Sequence, residues 1–151
     1  MTAVFKKLQL KEPSEILVLN APESFESELE ALDGIRILRD PDEAQQVEFA
    51  LAFAITQEEL NRSIEAIASK AQGDALVWFA YPKASSKKYE CEFNRDSGWE
   101  ALGRAGFEPV RQVAIDEDWS ALRFRRVEYI KKMTRRKSFA LTEQGKKKTE
   151  G

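Results

Sequence analysis

Three clusters of polar side chains have the types and spacing to do chemistry. Lys83, Ser85 and Ser86, followed by Lys87 and Lys88, come directly after the apolar run Ala75–Tyr81 and Pro82. Ammonium groups, hydroxyls and turn amides close together suit an anion or phosphate seat assisted by a helix amino terminus. The plainer reading is a solvated loop whose serines make local turns. Asn94, Arg95 and Asp96 form the second cluster. Asn94 or Asp96 suits the cap of a following helix, which leaves Arg95 free to pair with Asp116 or Asp118. The third is Asp116-Glu117-Asp118 with Trp119. Clustered carboxylates suit Mg²⁺ or Ca²⁺, but the alternating spacing and glycine of a calcium loop are missing, so a turn in solvent is favoured. Trp119 is the tryptophan expected to be part exposed and to touch a ligand.

Composition removes several kinds of chemistry. The chain has no histidine and a single cysteine, Cys91. That excludes Ser-His-Asp and Cys-His nucleophile activation, an intramolecular disulfide, and most routes to zinc or iron. Lysines near Cys91 would lower its pKa, but no base accompanies it, so an inert thiol is expected. No catalytic residue and no metal ligand is therefore assigned.

A chain of 151 residues with 33% charged residues reads as one soluble domain, able to bury roughly 70% of its unfolded surface. No apolar run approaches the ~20 residues of a membrane span. MTAVFKKLQLKEP lacks a hydrophobic signal core, so the expected location is the cytoplasm. Residues 1–126 hold 16 Lys and Arg against 23 Asp and Glu, whereas residues 127–151 hold 8 against 3. The expectation is a single α/β domain over 1–126 and a basic extension over 127–151, whose last fifteen or so residues are too polar to pack.

The elements that position the clusters follow from hydrophobic pattern. Residues 1–14 read as a lead-in packed loosely on the body. Glu15–Asn20 is a strand, Ala21–Ser24 a turn, and Phe25, Leu29 and Leu32 mark a helix closed by Gly34. Ile35–Arg39 and Val47–Ile55 are further strands. Thr56-Gln-Glu-Glu59 has capping-box spacing and opens a helix carrying Leu60, Ile64, Ile67 and Ala71, with Gly73 as its stop. Ala75–Tyr81 is apolar throughout, as in a strand buried on both faces of a parallel sheet, and Pro82 ends it. A third helix carries Trp99 and Leu102 and stops at Gly106. Pro109 leads into an antiparallel pair, 110–115 and 120–126, whose turn lacks the usual glycine and so is expected to be loose. The expected sheet order is 2-1-3-4-6-5, in a three-layer, Rossmann-like arrangement with right-handed crossovers. Parallel strands would gather one rim from Asn20 and Glu23, Lys83 to Ser86, Arg95 and Asp96, and Asp116, Asp118 and Trp119.

This sheet pattern resembles a class I methyltransferase with one strand–helix unit removed, closing hairpin included. The resemblance implies a mostly parallel sheet and a cofactor loop after the first strand. A dinucleotide or S-adenosylmethionine site wants glycines there. The chain instead has Ala21-Pro-Glu-Ser24, and only Asp40, after the second strand, is placed like a ribose-binding acid. ILVLNAPE (16–23), YPK (81–83), FNRD (93–96) and QVAIDEDWSALRFR (112–125) together resemble an uncharacterised family of small bacterial α/β proteins with a domain-of-unknown-function label. That resemblance spans most of 15–126 and implies a fold and a bacterial source without an activity.

The functional expectation is a non-catalytic module that binds a small anion or a protein partner at the rim. One alternative is a methyltransferase-like enzyme remnant that takes a nucleotide-type ligand and uses Lys83 with a carboxylate for proton transfer. The other is a nucleic-acid accessory protein whose tail residues Lys131, Lys132, Arg135, Arg136 and Lys137 neutralise phosphates.

Overall fold

The structure, a computed structural model, describes residues 2–11, 13–94 and 96–130. Within them the chain forms α1 (Ala3–Lys7), β1 (Glu15–Leu19), α2 (Glu26–Glu30), β2 (Arg36–Leu38), β3 (Val47–Phe53), α3 (Gln57–Ala68), β4 (Ala71–Pro82), α4 (Glu100–Arg104), β5 (Phe107–Ala114) and β6 (Trp119–Arg126). The sheet order is β2-β1-β3-β4-β6-β5, as the pattern predicts. β2, β1, β3 and β4 run parallel, and β6 is antiparallel to both β4 and β5. β5 therefore runs the same way as β4, and its carboxyl end reaches the same rim.

Alternation along the strands divides the core into two layers. Leu17, Ala50, Val77, Phe79, Leu122 and Phe124 face α3 and α4. Ile16, Val18, Phe49, Phe53, Trp78 and Trp119 face α1 and α2. β4 supplies both layers, which is why its apolar run does not alternate: Val77, Trp78, Phe79 and Ala80 are all buried.

Thr56 and Glu59 form the capping box read from their spacing, and Glu59 accepts from the Ile55 and Thr56 amides at 3.1 Å. Several other expectations are corrected. The lead-in is tightly packed: Phe5 and Leu8 are fully buried, and the Trp78 indole donates to the Leu8 carbonyl at 2.9 Å. A buried indole N–H needs an acceptor, and the end of α1 supplies it. The helix expected to begin at Phe25 is a 3₁₀ turn, Glu23–Phe25, running into the short α2. Its apolar side is still buried at Phe25, Leu29 and Leu32.

Gly73 does not stop α3, and Ala71 is not on that helix, which ends at Ala68. Gly73, at φ +59°, belongs to an irregularity in β4 where the register jumps from Val47↔Ala71 to Phe49↔Leu76. Positive φ is what glycine permits in such a bulge. Pro109 lies inside β5, at a register shift on an edge strand, where its missing N–H leaves no ladder bond unmade. Packing also continues past 126, since Val127 and Ile130 are buried and the Val127 amide donates to the Gly106 carbonyl at 2.9 Å. No helix among the described residues is long and apolar enough to cross a membrane.

Candidate functional site

At the carboxyl edge of β4, the strand empties into a loop that is fastened to the hairpin beside it. The Lys83 amide donates to the Asp118 carbonyl at 2.8 Å, and Ser86 Oγ donates to Asp118 Oδ1 at 2.8 Å. The same hydroxyl accepts from the Lys88 and Tyr89 amides at 3.2 Å, which folds the loop back on itself. Asp116 holds the other side. Its Oδ1 accepts from the Asp118 and Trp119 amides at 2.8 and 2.9 Å, so an Asx turn closes the hairpin without glycine.

The returning part of the loop is fastened to α3 and to the core. Glu92 accepts from the Gln57 amide at 2.9 Å, placing a carboxylate at the amino end of α3. The Gln57 side chain donates to the Gly98 carbonyl at 2.8 Å. The Trp99 indole donates to the Asn94 carbonyl at 2.8 Å, while its ring packs on Phe79, Tyr81, Phe93 and Phe124.

Between these two fastenings lies an open cleft of about 1260 Å³. Its floor carries Tyr81, Phe93, Gln112 and Ser120, and the Gln112 amide donates to the Tyr81 hydroxyl at 2.9 Å. Lys83, Ser85, Lys87 and Lys88 line it from one stretch of the loop, and Glu90, Cys91, Asn94 and Asp96 from the other. Lys83, Lys87 and Lys88 have no carboxylate partner among the described residues, and Lys88 lies over the Tyr89 ring with its ammonium 5.5 Å from the centroid. Two nearby carboxylates are already engaged, Glu92 by α3 and Asp118 by Ser86. Burial pushes the Cys91 thiol above its usual range, and the Glu92 charge adds to this against a hydrogen bond from the Phe93 amide. Such a thiol is a poor nucleophile at neutral pH.

The candidates separate into three groups. Lys83, Ser85, Ser86 and Asp96 line the cleft, and Asp118 and Asp116 shape its border. Asn20 and Glu23 lie at the carboxyl end of β1, separated from β4 by β3, and do not line the cleft. Arg95 and the tail residues Lys131, Lys132, Arg135, Arg136 and Lys137 fall outside the described residues.

Trp119 is corrected from a part-exposed residue to a buried one, 3% exposed, wedged between Phe53 and Tyr89 with both centroid distances 5.1 Å. As the first residue of β6, paired with Pro82, it turns to the apolar layer over β3. Asn94 and Asp96 do not cap α4, whose N-cap position is Trp99 with no side-chain cap bond. Asn94 Oδ1 is taken by the Asp96 amide at 2.8 Å, a local turn that competes with capping. Sequence reasoning did not single out Gln112 and Ser120. Their signal was alternation, since polar residues that interleave with Val113, Ile115 and Ala121 must face the other side of the sheet.

No family model matches the chain, and no curated protein matches it. Solved structures do match in fold. A SAM-dependent methyltransferase from Aquifex aeolicus aligns with TM-score 0.53 and 14% identity, over 82% of this chain and 87% of that one. A ribosomal protein L11 methylase from Lactobacillus delbrueckii subsp. bulgaricus aligns with TM-score 0.51 and 13% identity, over 82% and 76%. A possible exported protein from Bordetella parapertussis aligns with TM-score 0.54 and 11% identity, over 82% and 65%. The chain has a methyltransferase-like Rossmann fold, in the truncated form that its strand pattern predicts.

That fold implies S-adenosylmethionine at the crevice where strand order reverses, here between β1 and β3. The residues present do not fit it. Asn20, at φ +58°, turns the chain after Leu19, and its side-chain amide donates to the Phe53 carbonyl at 3.4 Å, bridging the crevice. Pro22 and Glu23 follow where glycines would let backbone approach a ligand. Asp40, the residue placed to hold a ribose, spends its carboxylate on the Asp42 amide at 2.9 Å as the cap of the 3₁₀ turn Pro41–Glu43.

Proposed function

We propose that this chain is a non-catalytic binding module that seats a small anionic ligand in the cleft beyond β4. The observation that carries the reading is the set of lysines, Lys83, Lys87 and Lys88, on the wall of that cleft without a carboxylate partner among the described residues. The Ser86–Asp118 and Lys83–Asp118 bonds hold the loop in shape before any ligand arrives, which lowers the ordering cost of binding. A cleft of about 1260 Å³ exceeds what a lone phosphate fills and suits a nucleotide-sized molecule. Its anionic end would meet the lysines, and the rest would lie over Tyr81 and Phe93.

Absence of an activated nucleophile supports the non-catalytic part. Histidine does not occur, the cleft's thiol is raised in pKa, and Ser86 is committed to Asp118. The methyltransferase-like fold supports a Rossmann ancestry, while the bridged crevice at Asn20 argues against its cofactor. A thermal-shift panel of AMP, pyrophosphate and S-adenosylmethionine tests the reading. Stabilisation by AMP or pyrophosphate that disappears in Lys83→Ala is expected. Silence across the panel, or a response to S-adenosylmethionine that Lys83→Ala leaves intact, overturns it.

A further inference from the structure

The sheet face that carries Trp78 presents a second concentration of positive charge. Arg123 of β6 is the direct cross-strand partner of Trp78 on β4 and of Arg111 on β5. Like charges directly opposite each other on an antiparallel pair destabilise it. The carboxylate whose charge acts on Arg123, Asp74, is already engaged, because Arg125, two residues along β6, forks onto it with bonds of 2.7 and 2.6 Å. Arg123 and Arg125 thus share the field of Asp74, and Arg111 lies one strand further out, in a body where residues 1–126 have more acidic than basic side chains.

The two uncompensated arginines retain unused donors. Arg123 Nη1 donates to the Gln9 side chain at 2.9 Å, while its Nε is buried with no partner among the described residues. Arg111 is exposed, and its side chain has no hydrogen bond or ion pair among the described residues. Burial, and after it the Arg125 charge, lower the Arg123 pKa, with Asp74 opposing and Arg111 adding. A half-buried guanidinium held next to another gains most from an anion placed between them.

We infer that Arg111 and Arg123 form a second anion site, for a phosphate-type dianion, on the face of β5 and β6 opposite the cleft. Two guanidiniums of single charge match a dianion in charge, and the exposed fork of Arg111 matches it in bidentate geometry. Separation from the cleft follows from alternation: Gln112 and Ser120 line the cleft, so Arg111 and Arg123 must leave the sheet on the other side.

The test is a titration of the whole chain with inorganic phosphate at pH 7.5, ionic strength held constant with chloride, following the arginine Nε–Hε resonances. A saturable shift of the Arg123 and Arg111 signals is expected. Arg111→Gln should weaken it roughly tenfold, and Arg123→Lys, which keeps the charge and loses the fork, should weaken it as well. Lys83→Gln should leave it unchanged. A shift that chloride reproduces, or no saturation, overturns the inference. A response lost in Lys83→Gln but kept in Arg111→Gln also overturns it and returns the binding to the cleft.

Discussion

Ser86 Oγ donates to Asp118 Oδ1 at 2.8 Å, joining the loop after β4 to the turn between β5 and β6. Thirty-two positions apart in the chain, the two residues meet because β4 and β5 run the same way and β6 returns between them. The bond decides whether the lysine-bearing loop is a shaped wall or a loose strap. Its environment is part-buried, so the side chains stay in one arrangement without the cost of a deeply buried charge.

Ser86→Ala removes one donor and the acceptor for two loop amides. A loss of about 1–2 kcal/mol in urea denaturation is expected, because the freed groups can still reach water. The sharper readout is amide exchange at Lys88 and Tyr89, which should quicken selectively. Unchanged exchange there would mean that the loop is held by something other than this hydroxyl.

Gly98 occupies a position no other residue fits. Its φ is +99°, and a Cβ would lie 2.6 Å from Phe93 Cβ and 2.8 Å from the Gln57 side-chain oxygen that faces it. Gly98→Ala must displace Phe93, one of the residues of the cleft floor. A loss of roughly 1–3 kcal/mol is expected from the backbone conformation alone, with ligand binding weakened in parallel. A variant with wild-type melting temperature and binding would contradict the packing described.

The Arg125 fork holds Asp74 below its ordinary carboxylate range, chiefly through the hydrogen bonds, with burial opposing and the Arg125 charge adding. A depressed folded-state value means that the folded chain takes up this proton later than the unfolded chain as acid is added. The stabilisation is therefore complete above the ordinary value of 3.8 and is lost as pH falls through the lower folded value. Asp74→Asn should cost about 0.2–1 kcal/mol at pH 6, the scale of an exposed pair. The difference from wild type should shrink below pH 4. A constant difference from pH 6 to pH 2.5, measured by urea midpoints, would show that the pair contributes nothing through charge.

Strand order and parallel direction were legible because they rest on burial. Ala75–Tyr81 has no polar position to spare, which is possible only for a strand covered on both faces. Thr56 and Glu59 were legible because capping is local. What escaped the sequence depended on competition between partners. Trp119 looked exposable beside acidic residues, yet its place opposite Pro82 turns it into the layer with Phe53. Asn94 had the chemistry of a cap and spent it on Asp96 instead. Gln112 reached Tyr81 through a tertiary pairing that no local pattern announces.

The central claim is that the cleft beyond β4 is an anion seat organised around Lys83. The measurement that meets it most directly is backbone amide shift mapping with pyrophosphate at constant ionic strength, on wild type and Lys83→Ala. Saturable shifts concentrated on Lys83 to Lys88 and on Gln112, and absent from the variant, are the result this account predicts. Shifts confined to other parts of the sheet, or equal in both proteins, would contradict it.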